Sequence, residues 1–501
     1  MKSIHVFRLI WSLSVIVPDA YAQSKHDHTW ILGNLPNDPA MQRGGTVLDF
    51  STTPPQTAYF DLPAPTAGPY QAISDSAGNL LFYTNGCAMF NRKHQQMENG
   101  DGMNLGRIYE RFCTEDYLGY PTAQGMVALP FPDSDDLYYA IYLSINEDTW
   151  WSDRLLYSVI DMKKDDGYGA VVQKHELVMR DTALQDALCA VRHSNGRDWW
   201  IVAPRAVSPW GIFTVLLSPE GFSKPYFNSI DPHLYDPING QACFSPDGRK
   251  YCYTSGRFVY VIDFDRCAGT FSNVQYWGLP VDNSVPFTAG GIAVSPNSEY
   301  LYVATGAKVH QYELKAGNIE STRIILTETQ YPEATFKALA LAPDKKIYGM
   351  DFGYSNRLHI VQQPNEKGLA CQFETHAFHL PTYAWIYLPY FPTYNLYDER
   401  GSPCDTLCEN NPLRGDPYSE AQIEINPNPP RYEMKFKLPL CPCGQWEIFD
   451  VAGRLIHAFP ANSQDGPFYK IDVGHWPAGV YVIRGKTTTH QAFVKRFVVM
   501  R

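Results

Sequence analysis

The stretch Ser245-Pro246-Asp247-Gly248-Arg249-Lys250, followed directly by Tyr251-Cys252-Tyr253-Thr254, decides the fold. Proline presets the backbone φ of a turn, an aspartate side chain accepts hydrogen bonds inside it, and glycine takes the left-handed conformation. Apolar strands on both sides of such a turn are typical of a β-hairpin. Asp247 and Gly248 are therefore assigned to the tip of a hairpin, and the same pattern recurs along the chain.

Six copies of this pattern, a polar turn and then a strand of aromatic and aliphatic residues, occupy the middle of the sequence. Successive copies start roughly 50 to 60 residues apart, which is near the length of one four-stranded propeller blade. In the first copy, Asp75 and Gly78 occupy the turn positions. The turns begin at Ser74, Pro132, His193, Ser245, Ser295 and Ala342.

The repeat predicts an all-β fold: a seven-bladed β-propeller over residues 44–397, with six or eight blades as alternatives. The remaining blade is expected to combine Thr46 to Asp61 with His376 to Tyr397. Joining the first and last strands in one blade closes the ring and removes exposed sheet edges. A pair of β-sandwiches is the competing fold, but its strands would lack this regular spacing.

Composition and charge exclude several classes of protein. The 501 residues are 45% hydrophobic, 14% aromatic and only 19% charged, which is unlike a disordered chain. The net charge of −11 gives no support for nucleic-acid binding. This charge divides into +1 over residues 1–22, −16 over residues 23–422 and +4 over residues 423–501, which indicates separate modules.

The N-terminus has the pattern of a secretory signal peptide. A basic start and a short apolar stretch precede Ala20 and Ala22, which fit the small-residue cleavage pattern with Gln23 as the first mature residue. The apolar stretch is far shorter than the about 20 residues of a membrane-spanning helix. We expect a signal peptide over 1–22, an N-terminal segment over 23–43, and no transmembrane segment in the mature protein.

Export makes disulfide bonds possible, and the chain has 11 cysteines, an odd number that leaves at least one outside any intramolecular pair. Cys404 and Cys408 share a short polar segment and are one candidate pair. Cys243 and Cys252 flank the Asp247-Gly248 turn and would face each other across the hairpin, which makes them a second candidate. Simple buried thiols are the alternative for either pair.

The C-terminal segment 423–501, which follows a linker over 398–422, contains an opening Asn-Pro, a strand with an Asp-x-x-Gly-Arg turn, a Pro-x-Gly-x-Tyr strand and a closing basic strand. In this order it resembles the type A C-terminal sorting domain of the type IX secretion system of Bacteroidota. Phe449 replaces the usual Tyr, and Trp476-Pro477-Ala478 replaces the usual Leu-Pro-Ser. The motif residues are Asn426, Pro427, Asp450, Gly453, Arg454, Pro477, Gly479, Tyr481, Lys495 and Arg496.

This resemblance implies a small Ig-like sandwich, recognition by the type IX translocon, and passage from the periplasm across the outer membrane. It also implies removal of the domain, after which the passenger is released or held at the cell surface. The period-2 strands of the segment fit a sandwich of this size.

A second resemblance covers most of residues 40–397. Ser74-Asp75-Ser76-Ala77-Gly78-Asn79-Leu80-Leu81-Phe82-Tyr83-Thr84-Asn85-Gly86 resembles the opening of a set of exported Bacteroidota propellers, which are similar to WD40 and YVTN proteins. Asn91, His94, Met97 and Asn99 continue that pattern. The resemblance implies the propeller fold and no defined reaction.

No catalytic motif is present: HExxH, GxSxG, Walker A, Rossmann and EF-hand patterns are all missing from the sequence. We therefore predict no catalytic residues, no metal and no cofactor. The segment His26-Asp27-His28 is expected to be a mobile tail, Asn99-Gly100-Asp101-Gly102 a plain turn, and His94 and His193 structural. The aromatic pairs Trp150-Trp151 and Trp199-Trp200 and the run from Tyr383 to Tyr397 are expected to pack blades, with stacking on sugar rings as the alternative.

The sequence favours a secreted or cell-surface binding module without catalytic activity, with a glycan or a surface protein as its ligand. Two alternatives stay open. One is a propeller enzyme acting on glycans or lactones through a metal site at the channel mouth, and the other is a structural subunit of a surface or gliding assembly.

Overall fold

The structure is a computed structural model of the chain. It describes residues 24–64, 68, 70–116, 118–183, 187–230, 240–255, 258–279, 290–329, 335–399, 402–404, 424–426, 433–437, 444–461, 468–486 and 492–500. The predicted signal peptide with Ala20, Ala22 and Gln23 lies outside these residues, as do Cys408 and Pro427.

Seven antiparallel sheets follow one another over the described residues between 29 and 385. The first three sheets contain β1 (Thr29–Asp38), β2 (Arg43–Asp49) and β3 (Gln56–Phe60); β4 (Gln71–Ser74), β5 (Leu80–Thr84) and β6 (Met89–Asn91); and β7 (Met126–Pro130), β8 (Leu137–Ile145), β9 (Ser152–Asp161) and β10 (Ala170–Ala183). The fourth contains β11 (Cys189–Arg192), β12 (Trp199–Pro204), β13 (Gly211–Ser218), β14 (Gly221–Phe222) and β15 (Tyr226–Ser229).

The last three sheets have four strands each. They contain β16 (Gln241–Phe244), β17 (Lys250–Ser255), β18 (Phe258–Asp265) and β19 (Thr270–Gly278); β20 (Ile292–Val294), β21 (Tyr300–Ala304), β22 (Lys308–Glu313) and β23 (Ile324–Glu328); and β24 (Ala338–Leu341), β25 (Ile347–Met350), β26 (Tyr354–Val361) and β27 (Phe373–Trp385). Helices are short: α1 (Arg107–Tyr109) continues as a π-helical turn over Glu110–Glu115, and 3-10 turns cover Pro39–Met41, Asp165–Gly167, Glu320–Thr322 and Gly368–Cys371.

The first strands of the sheets lie at the centre of a ring. Contacts join β1 to β4, β4 to β7, β11 to β16, β16 to β20, and β20 to β24. The ring closes where β27 packs beside β1 and β2: the hydroxyl groups of Thr46 and Thr382 are 2.8 Å apart, and the Tyr383 amide donates to Gln42 O at 2.8 Å. The fold is therefore a β-propeller, and we interpret each sheet as one blade.

The composition of the first and last sheets differs from the expected split blade. β1 starts at Thr29, inside the segment 23–43 that the repeat left outside the propeller. Its connection to β2 is a 3-10 turn ending at Gln42 with φ of 55°, so it lacks the polar turn pattern by which the six other hairpins were found. His376 belongs to β27 in the last sheet, and residues 386–397 form no strand.

All six polar turns connect the first and second strands of their sheets, so they lie on one face of the ring, which we call the turn face. Asp75 Oδ1 accepts from the amides of Ala77 and Asn79, both at 2.9 Å, and Gly78 has a φ of 99°. Asp247 Oδ1 likewise accepts from the Arg249 amide at 3.1 Å, beside Gly248 with a φ of 72°. In the second to seventh sheets the opposite face, which we call the loop face, carries the connections between second and third strands, and the chain also passes from one sheet to the next there.

Residues 386–397, which we call the channel segment, run through the centre of the ring. Tyr390 Oη donates to Ala190 O at 3.3 Å and Tyr394 Oη donates to Ala128 O at 2.8 Å, and both acceptors lie on first strands. The two tyrosines are 8% and 4% exposed. Phe391 packs against three separate hydrophobic clusters, so the segment serves as the axial core of the propeller.

The two ends of the propeller chain meet at the turn face. Asn395 Nδ2 donates to Ser24 O at 2.8 Å, and the Glu399 amide donates to Ser194 O at 2.7 Å. The Glu399 carboxylate also pairs with Arg249 at 2.7 Å. A disulfide between Cys267 and Cys404 then ties the end of the segment to the turn after β18.

The candidate disulfide pairs from the sequence are thereby corrected. Cys404 bonds to Cys267, because the channel segment carries it to a turn that is 137 residues earlier in the chain. Cys243 and Cys252 are direct cross-strand neighbours, as the hairpin predicted, but both are free thiols. A second disulfide, which sequence spacing did not indicate, joins Cys87 to Cys113.

The C-terminal segment forms two further antiparallel sheets. Trp446, Ile483 and Phe497 of one sheet share a buried cluster with Met434 and Ile471 of the other. Two sheets facing each other across a common apolar core form a β-sandwich. The strands are β28 (Glu424–Asn426), β29 (Glu433–Lys437), β30 (Gly444–Asp450), β31 (Leu455–Ala461), β32 (Phe468–Asp472), β33 (Gly479–Lys486) and β34 (Ala492–Val499).

Replacing Cys267 and Cys404 together by serine should lower the free energy of unfolding more than the same change at Cys87 and Cys113. The chain between the first pair spans 137 residues and that between the second 26, and loop-closure entropy then predicts losses of about 5 and about 3.5 kcal/mol, with measured values usually smaller. Denaturant titration of both double variants measures the difference. An equal or reversed order would show that the channel segment is not held by this bond.

Candidate functional site

The channel, the usual place for a propeller ligand, is filled by the chain itself. Beside the channel segment, the Gln124 side chain donates to Ala242 O at 2.9 Å and accepts from the Ala242 amide at 3.0 Å. Gln241 does the same with Leu339, at 2.6 and 3.1 Å. These amide side chains tie the residues just before β7 to β16, and β16 to β24, across the centre of the ring.

A small cavity remains beside these glutamines, towards the loop face. Its lining is amide, aliphatic and phenolic, with Lys337 as the one charged group and no carboxylate or imidazole. A channel-mouth metal or acid-base site needs several Asp, Glu or His side chains at one point. The described residues that line this cavity do not include such a set of Asp, Glu or His side chains.

At the turn-face end of the channel, His26 is buried rather than part of a mobile tail, which corrects the expectation for that segment. Its Nδ1 lies 2.5 Å from Ser74 O, and its ring packs edge-on against Tyr394 at 5.1 Å. Burial lowers the pKa of His26. The N-terminal segment therefore closes this mouth of the channel with a neutral imidazole.

The described residues bring three potential metal ligands together at one place, in the last sheet. Asp351 follows β25, His359 lies on β26 and His376 on β27, and their ligand atoms lie within 4.8 Å of one another. A β-bulge places His376, whose φ is 52°. The sequence did not indicate this cluster, because the three residues have no recognisable metal-ligand spacing.

Hydrogen bonds join the three side chains of this cluster to one another. The Asp351 carboxylate accepts from His359 Nε2 at 3.3 Å and from His376 Nε2 at 2.8 Å. His359 Nδ1 accepts from the His376 amide at 3.2 Å, so the ring proton of His359 lies on Nε2, the atom that a metal would need. The cluster thus ties three strands together as a hydrogen-bonded network.

Charge in the network is carried by the aspartate. Burial raises the pKa of Asp351, but the hydrogen bonds from His359, the Thr335 amide and His376 outweigh it and lower the pKa to about 2. Burial lowers the pKa of His359. At neutral pH the network therefore holds a carboxylate between imidazoles, with His359 neutral.

The other histidines and the Asn99 turn have structural contacts. His94 stacks on Phe60 at 3.9 Å, and His193 Nδ1 accepts from the Asn195 amide at 3.0 Å. Asn99 donates to Val171 O at 2.7 Å, so its amide supports the adjacent sheet. These geometries agree with the structural assignments made from the sequence.

The aromatic pairs divide into packing residues and one exception. Trp199 and Trp200 are 0% and 9% exposed, and Trp151 packs against the largest core cluster. Trp150 is 47% exposed on the turn between β8 and β9, at the loop face. The expectation of blade packing therefore fails at Trp150.

The sorting-motif residues form a compact turn and strand in the C-terminal sandwich. Asp450 Oδ1 accepts from the amides of Ala452 and Arg454, at 2.9 and 3.0 Å, and Gly453 has a φ of 76°. Tyr481 Oη donates to Pro477 O at 2.8 Å, which holds the turn that enters β33. Asn426 lies on β28, Gly479 begins β33, and Lys495 and Arg496 lie on β34.

Residues 424–500 match the family described as the secretion system C-terminal sorting domain. The chain is thus a β-propeller protein that carries an address for the type IX secretion system, and it is handled by that system and delivered to the cell surface or outside. In the described residues no helix has the length and apolar character needed to cross a membrane. No curated protein sequence matches the chain.

Solved structures similar to the chain share little of its sequence. A protein from Lactobacillus plantarum is 11% identical, with 73% of this chain and 100% of that chain covered and a TM-score of 0.44. A candidate 6-phosphogluconolactonase from Bacteroides fragilis is 12% identical over 70% and 95%, with a TM-score of 0.43. The Cps50 (Swd1) β-propeller domain of Myceliophteria thermophila is 9% identical over 66% and 93%, with a TM-score of 0.37. At these values the similarities carry no argument about activity.

One buried histidine outside the cluster has a pKa well below its usual value. His310 on β22 is 1% exposed, and its Nε2 lies 3.1 Å from Thr305 Oγ1. Burial, with smaller contributions from Arg323 and Lys308, lowers its pKa to about 4. The folded protein therefore contains the His310 imidazole in its neutral form.

The stability of the propeller should fall as the pH is lowered from about 6.5 to about 4, because the unfolded chain then binds a proton at His310 that the folded protein excludes. The full effect of this group is about 3 kcal/mol. The variant His310→Gln should show a shallower loss of unfolding free energy over this range. His379→Gln, at an exposed position of β27, is the control and should keep the wild-type slope; an unchanged slope in the His310 variant would contradict the assignment.

Deleting residues 424–500 should leave the propeller in the periplasm, because the type IX address is then missing. Cell fractionation and surface labelling measure this outcome. Asp450→Ala removes the carboxylate that accepts the hydrogen bonds of the turn and should reduce delivery to the cell surface. Val451→Ala changes a 77% exposed position of the same turn and should leave delivery unchanged. Normal surface delivery of the truncated chain would refute the role of the tail.

Proposed function

We propose that residues 23–422 act, after removal of the signal peptide and of the sorting domain, as a binding module without catalytic activity at the cell surface or in the medium. The observation that carries this proposal is the channel segment: Tyr390 and Tyr394 occupy the position where a propeller enzyme would gather its catalytic groups. The proposal needs no cofactor.

The loop face is the proposed binding side. The turn face is built from short Asp turns and is tied to the two ends of the propeller chain by Asn395, Glu399 and the Cys267–Cys404 bond. The loop face instead carries the long connection between β6 and β7, which is reinforced by the Cys87–Cys113 bond. Binding residues are typically found on loops held by a rigid scaffold, and the blades supply that scaffold.

The proposed ligand is a glycan or another surface protein, neutral or cationic, since residues 23–422 carry a net charge of −16. The type IX translocon is the partner during export, through the C-terminal domain. Release into the medium and attachment to the cell surface are both compatible with this function.

A combined binding and turnover assay on the purified secreted protein tests the proposal. The protein should retain a polysaccharide or a surface-protein fraction from its own cells without changing it, because the described channel residues offer no acid-base or metal set. Lactone and polysaccharide hydrolysis are measured in the same samples. Turnover that follows the purified protein would overturn the proposal, and so would failure to retain any surface component.

A further inference from the structure

The turn over residues 146–151 joins β8 to β9 on the loop face. It exposes a large aromatic side chain to solvent. Trp150 is 47% exposed, and its backbone is left-handed with a φ of 61°. A left-handed conformation is costly for a residue with a bulky side chain, and such strain collects at functional positions. Neighbouring Trp151 packs inward against the core, so the exposure of Trp150 is a property of this one position.

The turn is rigid, because one side chain organises it. Asn146 Oδ1 accepts from the amides of Asp148 and Thr149, at 3.0 and 3.1 Å. The Trp150 amide donates to Asn146 O at 3.0 Å, and the Asn146 amide donates to Trp151 O at 2.7 Å. The indole is thus presented from a closed loop with few conformations to lose on binding.

The inserted helix between β6 and β7 docks against this turn. The Arg107 amide donates to Glu147 Oε1 at 2.6 Å, and the Arg107 guanidinium pairs with Glu147 at 3.6 Å. Phe112 on the same helix meets Trp150 edge to face, with ring centroids 6.0 Å apart and an interplanar angle of 83°. The Cys87–Cys113 bond fixes the residue next to Phe112, so the two rings form a preorganised corner.

Charged groups surround this aromatic corner. Arg111 lies over both rings, 5.2 Å from the centroid of Phe112 and 5.8 Å from that of Trp150, and it pairs with Asp116 at 3.5 Å. Its side chain is 57% exposed and that of Arg107 is 77% exposed. The corner therefore offers one apolar ring surface and, at its edge, guanidinium and carboxylate groups that can exchange hydrogen bonds with hydroxyls.

We infer that this corner, formed by Trp150, Phe112, Arg111 and the Arg107–Glu147 pair, is a binding subsite for one pyranose ring of a polysaccharide. A pyranose has an apolar C–H face that suits an indole and a hydroxyl rim that suits paired charged groups. A protein partner would need about 1,000 Å² of complementary surface. A sugar ring needs only the exposed indole and the charged groups that lie next to it, which are Arg107, Arg111 and Glu147. The inference rests on the proposed function and names the ligand class for the loop face.

Affinity electrophoresis of the secreted protein through gels containing laminarin, mannan, xylan or the cells' own O-polysaccharide tests the inference. At least one of these should retard the wild-type protein. Trp150→Gly should weaken that retardation by about tenfold or more, which corresponds to about 1.4 kcal/mol of binding free energy. Glycine suits the left-handed backbone, so this variant should keep the conformation of the turn, and its melting temperature separates lost binding from lost stability.

Two further variants make the result specific. Trp150→Phe keeps a ring and should retain part of the affinity. Tyr276→Ala, which removes a 48% exposed ring from β19, is matched in exposure and should bind as the wild type does.

Three outcomes would overturn the inference: equal retardation of the wild type and Trp150→Gly, equal losses in Trp150→Gly and Tyr276→Ala, or no retardation by any of the polysaccharides. Loss of binding to a surface protein alone in Trp150→Gly would also overturn the glycan assignment while leaving the proposed binding function intact. Hydrolysis of a retarding polysaccharide, in contrast, would contradict the proposed function and leave the subsite in place.

Discussion

The hydrogen bonds from Tyr390 and Tyr394 to the inner strands are the interaction on which the rest of the structure depends. Strands that converge on an axis leave a gap between them. The backbone groups that face this gap need hydrogen-bond partners, and the apolar side chains that face it need other side chains to pack against. Here the chain returns through that gap after its last strand and fills it with its own aromatic residues. Gln124 and Gln241 complete the axis by pairing first strands that are not consecutive along the chain.

Because the channel segment occupies the centre of the ring, the faces of the propeller are the surfaces available for binding other molecules. The channel segment runs from the end of β27 to the turn face, where Asn395 bonds to Ser24. Glu399 and Cys404, which follow the segment, bond to Ser194 and Cys267, so the turn face holds the two ends of the propeller chain together. The loop face is not committed in this way. It presents the docked insertion and the strained turn at Trp150, and it is the side on which we propose that recognition takes place.

Much of the fold could be predicted because turns are local. The polar hairpin turns need only a few adjacent residues, and the structure places all six between the first and second strands of their sheets. β1 escaped prediction because its turn uses a left-handed Gln42 instead of glycine. The Asp351, His359 and His376 network was not foreseen, since it depends on the register of three strands and on a bulge, neither of which leaves a signal in sequence spacing.

The sequence by itself determined the all-β class, the repeat, the acidic passenger and the C-terminal address, because each depends on composition or on residues within one hairpin. Only the tertiary structure decided that Cys404 bonds to Cys267, that Tyr390 and Tyr394 lie in the channel, and that Trp150 faces water while Trp151, Trp199 and Trp200 pack inward. These outcomes depend on which distant segments meet across the ring. An aromatic residue in a turn has the same local pattern whether it packs inward or faces solvent, so its role becomes visible only in the assembled propeller.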